Sequence, residues 1–212
     1  MSYTREQVAD AVDHYTASTI PMHLSVQASQ VVLSQPEMEL LLSNADRIGL
    51  ADCECRLERQ KCGAPLDVCL SLGETARKLI AEGHARPISI SGALGVLRRS
   101  HQAGLVHLAY RKEGSDDIEA VCSCCACCCW FLTELQRFDY HHALAESAFV
   151  AVFDPARCDG CGICAERCPF QAWERMDGAA LFDQERCFGC GLCVTACPVH
   201  AISLVKRPQV IP

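Results

Sequence analysis

The chain has 212 residues, 50% of them hydrophobic, 18 cysteines and a net charge of −7, so it can build a core and carries an unusual density of thiols. The acidic balance excludes a broad nucleic-acid surface, which needs the opposite sign, and directs expected partners towards redox proteins with basic docking faces. No apolar run approaches the ~20 residues that cross a bilayer, and the start of the chain lacks the basic and apolar regions of a secretory signal; a reducing cytoplasm is expected, where dense thiols mean metal or redox chemistry rather than cross-links.

In chain order, Val8, Ala11, Val12 and Tyr15 recur at helical spacing behind the capping pair Thr4 and Gln7, which predicts a helix over 4–17. A second helix is expected from Ser34, with Pro36 in its first turn, Met38, Leu41, Leu42, Ala45 and Ile48 as its apolar face, and Gly49 as its end. Cys53 and Cys55 follow; two residues apart on extended backbone, they point to one side and can grip one metal centre. Gly63 and Pro65 let the loop curl Cys62 and Cys69 back towards that pair, and Arg56, Arg59 and Lys61 favour the thiolates that bind metal.

A helix from Ser71 to Glu82 and another over 89–103, closed by Gly104, come next. LVHLAY then alternates as a half-buried strand, RKEGSDD reads as a turn and IEAV as the returning strand. Arg98 and Arg99 are assigned to a solvated face, because no basic stripe accompanies them, and no nucleic-acid partner is expected.

Six cysteines follow within eight residues, Cys122, Cys124, Cys125, Cys127, Cys128 and Cys129. Successive side chains on extended backbone diverge, so alternate thiols are expected to reach one centre while their neighbours face another or remain free. Together with Cys53, Cys55, Cys62 and Cys69 they supply ten thiols, enough for one or two amino-terminal centres. Iron-sulfur is favoured by the adjacency of the cysteines; four thiolates closing a tetrahedron around zinc is the competing metal. Trp130 and Phe131 open a helix expected to run to about Ala145, with His141 and His142 packed or solvent-facing near its end.

From Phe153 a seventeen-residue frame, FDPARCDGCGICAERCP, recurs 29 residues later as FDQERCFGCGLCVTACP. Each copy is C-x2-C-x2-C-x3-C-P: three cysteines wrap one four-iron cluster and the fourth, before proline, reaches the other. Cys158, Cys161, Cys164 and Cys197 are thereby expected to hold one [4Fe-4S] cluster, and Cys187, Cys190, Cys193 and Cys168 a second. Gly160 and Gly162 let backbone N–H groups approach the sulfides. Asp159 and Phe188 occupy matching places beside the two clusters, a difference expected to set their potentials apart, and His200 reads as surface.

Residues 148–206 resemble the two-cluster bacterial ferredoxins of the clostridial type, including the eighteen residues between Cys168 and Cys187. That resemblance implies a pseudo-symmetric module of two short hairpins and two short helices with two low-potential clusters close enough for fast electron exchange. Upstream, C-x-C-R, P-L-D-V-C-L, G-L-V-H and C-x-C-C-x-C-C-C resemble the amino-terminal part of cysteine-rich iron-sulfur proteins of anaerobic bacteria and archaea that end in the same module. A weaker likeness is to the cysteine-rich modules of heterodisulfide reductases, whose C-C-G signature is replaced here by Cys124-Cys125-Ala126.

The expected architecture is α+β, with a mainly helical cysteine-rich domain over 1–147, containing one small hairpin, and a ferredoxin-like domain over 148–212. The expected function is relay of single electrons through two [4Fe-4S] clusters, with at least one further cysteine-bound centre upstream. The alternative is an oxidoreductase subunit whose amino-terminal centre performs two-electron reduction of a disulfide or small substrate; a third is an amino-terminal docking scaffold held by structural zinc. No Walker, Rossmann or nucleophile-elbow motif occurs, so no catalytic residue is named, and a carrier or a subunit of a larger oxidoreductase is expected over a self-sufficient enzyme.

Overall fold

In the computed structural model, which describes residues 4–6, 15–20, 41–112, 118–138, 144–145 and 147–207, the amino-terminal part is organised by one sheet. Its strands are β1 (Tyr15–Ile20), β2 (Ile48–Asp52), β3 (Asp67–Leu72), β4 (Arg86–Pro87), β5 (Val106–Lys112), β6 (Ile118–Cys124) and β7 (Leu144–Ala145), in the order β4-β2-β3-β6-β5-β1-β7. All pairings are antiparallel except that of β1 with β7. Helices among the described residues that connect or flank them include α1 (Glu54–Arg59), α2 (Gly73–Ala81), α3 (Ile90–Gln102) and α4 (Trp130–Phe138).

The α+β class stands, but a sheet replaces the mainly helical domain expected here. Residues 15–17, assigned to the first helix, begin β1 and pair with β5, Tyr15 opposite Lys112; residues 7–14 of that expected helix lie outside the described residues. The second helix is present at 41–44 and ends before Ile48 and Gly49, which belong to β2. Ser71, expected to open a helix, closes β3 with Leu72, and α2 starts at Gly73 in a left-handed conformation (φ 56°). Helix α4 stops at Phe138, Leu144 and Ala145 pair with β1, and His141 and His142 lie outside the described residues. In each case cross-strand hydrogen bonding overrode a helical period.

Two expectations match closely. Ser89 caps α3, accepting from the Gly92 N–H at 3.1 Å, and Gly104 (φ 83°) follows it. The hairpin β5–β6 sets Leu108 opposite Cys122 and Val106 opposite Cys124. The core beneath the sheet packs Leu50, Leu70 and Val121 from β2, β3 and β6 against Leu94 and Leu97 of α3, each burial contributing about 1.5–3 kcal/mol.

Beyond this sheet come β8 (Phe149–Phe153), α5 (Ile163–Arg167), β9 (Trp173–Met176), β10 (Ala179–Phe182), α6 (Leu192–Ala196) and β11 (Ile202–Lys206). Strand β8 pairs with β11, and β9 with β10. The repeat in sequence is a repeat in conformation: Gly162 and Gly191 open α5 and α6 at φ 79° and 78°, and Cys168 and Cys197 close them at ψ 110° and 111°. This part is tied to the amino-terminal sheet and its helices by Arg167, which donates to the Gln102 carbonyl at 2.8 Å, by His101 Nε2 and Thr195 Oγ1 at 2.9 Å, and by the Gln136 amide, which donates to the Pro169 carbonyl.

Candidate metal centres

Each short helix of the repeat carries one cysteine of its C-x2-C-x2-C run on its first turn, and the preceding glycine turn folds the other two around the same point. Gly160 and Gly189 sit at φ 71° and 69° where a Cβ would lie 1.9 Å from the Gly178 carbonyl oxygen and 2.0 Å from that of Phe149. No other residue fits there, which is why the frame needs glycine.

Two cavities result. One is lined by Cys158, Cys161, Cys164 and Cys197; the other by Cys187, Cys190, Cys193 and Cys168. The fourth cysteine of each copy therefore lines the cavity of the other. Backbone N–H groups already point at thiol sulfurs: Gly160 to Cys158 and Ala172 to Cys168 at 3.4 Å, Ala151 to Cys187 at 3.4 Å, and Ala201 to Cys197 at 3.3 Å. Four soft thiolate donors, amide donors to sulfur and a cavity between them fit a four-iron cluster.

The two cavities differ in wall and exposure. Asp159 and Val199 line the first, where Cys161 is exposed; Phe188 and Phe170 line the second, where Cys187, Cys190 and Cys193 are all buried. Burial raises the thiols of Cys190 and Cys193 well above the ordinary range, so they become thiolates only with a cation to neutralise them. His200 is exposed, at φ 51°.

The ten amino-terminal cysteines fall into two groups that do not follow their order in the chain. Cys53 is the N-cap of α1, on extended backbone (φ −72°, ψ 103°), while Cys55 lies in the first helical turn, so the pair does not share the extended run expected of it. Neighbouring thiols influence one another's ionisation in a closed order, Cys53 with Cys55 and Cys69, Cys69 with Cys122, Cys122 with Cys124, Cys124 with Cys129, and Cys129 with Cys55. These six form a closed ring. Cys122 and Cys124 share one face of β6, and the turn at 126–128 then carries the chain away before Cys129 returns to the ring.

The thiols carried away meet Cys62. Its Sγ lies 3.8 Å from Cys125 Sγ and 3.8 Å from Cys128 Sγ, Cys127 Sγ is 3.9 Å from Cys128 Sγ, and all four sulfurs are within 4.8 Å of one another. Cys62 thus parts from Cys53, Cys55 and Cys69, with which sequence spacing grouped it.

Between the two groups lies Arg56, 2% exposed, donating to the carbonyls of Pro65 and Ser123. Burial opposes its charge, but a hydrogen bond to Cys125 and the nearby thiols of Cys53 and Cys124 outweigh that and raise its pKa. Cys125 responds: burial pushes it up, yet Arg56 and Cys127 bring it down to about 7.

The ring and the second cavity share one apolar cluster, in which Cys124 and Cys129 pack with Phe131, Phe170, Phe188 and Cys190, flanked by Cys122, Tyr110 and Cys168. Tyr110 hydrogen-bonds Cys124 and stands edge-on to Phe131, with centroids 6.0 Å apart. Tyr110 and Phe170 carried no sequence signal as site residues. The trace was there for Phe170, since its counterpart one repeat later is Val199.

Among the described residues, no helix is long and apolar enough to cross a membrane. No curated protein matches the chain. The family model of a 4Fe-4S dicluster domain matches residues 157–202 and, with the cysteine-lined cavities, supports a 4Fe-4S ferredoxin-like segment there.

Proposed function

We propose that the chain relays single electrons through two [4Fe-4S] clusters, one held by Cys158, Cys161, Cys164 and Cys197 and one by Cys187, Cys190, Cys193 and Cys168, towards a further cysteine-bound centre at the amino-terminal sheet. The observation that carries this reading is the crossed lining of the two cavities, four cysteines each. A bound four-iron cluster supplies reversible uptake of one electron. The chain's own residues supply the rest.

Cys161 and Asp159, exposed beside the first cavity, place that end at the surface where a redox partner with a basic face docks. Phe170 and Phe188 exclude water from the second cavity and fill the space between it and Cys124 and Cys129. The direction of relay is therefore from the exposed cavity inward, or the reverse, with the six-thiol ring as the inner terminus.

One observation favours a second reading. The ring offers six thiols, two more than a four-iron cluster takes, which suits an oxidoreductase subunit whose inner centre reduces a disulfide or small substrate in two-electron steps. Electron paramagnetic resonance of the anaerobically purified, reduced full chain tests the relay. Interacting [4Fe-4S] signals and about eight irons lost on deleting 148–212 are expected; a chain that binds zinc and no iron overturns it. Turnover of a disulfide acceptor by the reduced chain, abolished by Cys124→Ser with both ferredoxin signals intact, distinguishes the second reading.

A further inference from the structure

We infer that Cys62, Cys125, Cys127 and Cys128 form a binding site for a single tetrahedral zinc ion, separate from every iron-sulfur centre of the chain. Four thiolates around one zinc at about 2.3 Å have their sulfurs at the corners of a tetrahedron with edges of about 3.8 Å. The sulfur separations are 3.8 Å from Cys62 to Cys125, 3.8 Å from Cys62 to Cys128 and 3.9 Å from Cys127 to Cys128.

A cubane cannot be held at that spacing. Each of its four cysteines binds a different iron, so the sulfurs must stand well apart around a body of metal and sulfide. The chain contains its own comparison: the eight cysteines of the repeat stand around two open cavities. Among the described residues, only the Cys62 group brings three or more candidate ligand atoms within 4.8 Å of one another. The six-thiol ring closes through neighbouring pairs and meets no such limit.

The surroundings suit the charge. Zinc with four thiolates carries a net charge of −2, and the buried guanidinium of Arg56 stands near Cys125, which favours its positive charge. Four thiolates leave zinc no open position, so the site is structural. It pins the loop carrying Cys62 to the turn at 126–128.

Zinc K-edge absorption of the full chain, purified anaerobically from cells supplied with both metals, tests this. The expected result is about one zinc per chain with four sulfur neighbours at about 2.3 Å and no metal neighbour. Cys62→Ser, at an exposed loop position, and Cys127→Ser should each lower bound zinc at least tenfold while leaving iron content and both ferredoxin signals unchanged. Absence of zinc from the unaltered chain, a short metal–metal distance, or loss of several irons with Cys62→Ser overturns the proposal. Because the relay reading depends on the iron signals of 148–212 alone, its failure shows separately.

Discussion

Phe170 and Phe188 lie with ring centroids 4.6 Å apart, in the apolar cluster that holds Cys190 on one side and Cys124 and Cys129 on the other. The pair joins the inner end of the repeat to the thiol ring of the sheet. Phe188→Ala opens a buried void and should lower stability by about 3–5 kcal/mol, read by denaturant unfolding of the holoprotein, whereas Phe188→Leu should keep the fold and both clusters. Retention of full stability by the alanine variant would place Phe188 outside the core.

The glycines of the frame separate steric need from backbone need. Gly160→Ala drives a methyl into the Gly178 carbonyl and should abolish iron binding in the first cavity. Gly178, at φ 79° with open space around it, should tolerate alanine for about 1–2 kcal/mol of left-handed strain. Iron per chain and thermal midpoint, measured side by side, check the contrast.

Asp159 is fully exposed beside the first cavity, and its carboxylate opposes added negative charge there. Asp159→Asn should raise the potential of the first cluster by a small amount that shrinks with added salt, and leave the second unmoved. Spectroelectrochemical titration at two ionic strengths reads both. A shift of the second cluster alone would reverse the assignment of cavities.

In the metal-free chain, Cys125, held at about 7, should be the first of Cys125, Cys127 and Cys128 to ionise. Burial, together with hydrogen bonds among the thiols, raises Cys127 above the ordinary range, and burial raises Cys128. Limiting alkylating reagent should mark Cys125 ahead of the other two, at a rate that rises as pH increases through 7. Arg56→Gln removes the guanidinium that stabilises the thiolate and should move that rise to higher pH; mass spectrometry of tryptic peptides follows it.

How much of this was legible in sequence differs sharply between the two parts. In the repeat, covalent spacing itself sets which thiols meet, since three cysteines separated by two residues each, with glycines of positive φ between them, have one way to wrap. The crossing of Cys168 and Cys197 follows from the same frame. Upstream, the partition of ten thiols depends on β3 lying beside β6, Leu70 opposite Val121, and on a turn at 126–128 that contains no glycine, proline or asparagine. Neither leaves a local signal. Strand β1 was read as helix for the same reason: Tyr15 fits a helical period with Val8 and Ala11, while the hydrogen bonds that make it a strand come from β5, about ninety residues away.

Arg56 has a consequence beyond holding two carbonyls. As the buried guanidinium between the ring and the Cys62 group, it is a counter-ion common to both. Each group becomes more negative as its thiols ionise to bind metal, and both draw on one positive charge. Occupancy of either therefore sets the electrostatic cost of filling the other, by the same amount in both directions. The two amino-terminal groups are thereby rivals for one counter-charge, and a single side chain carries the competition.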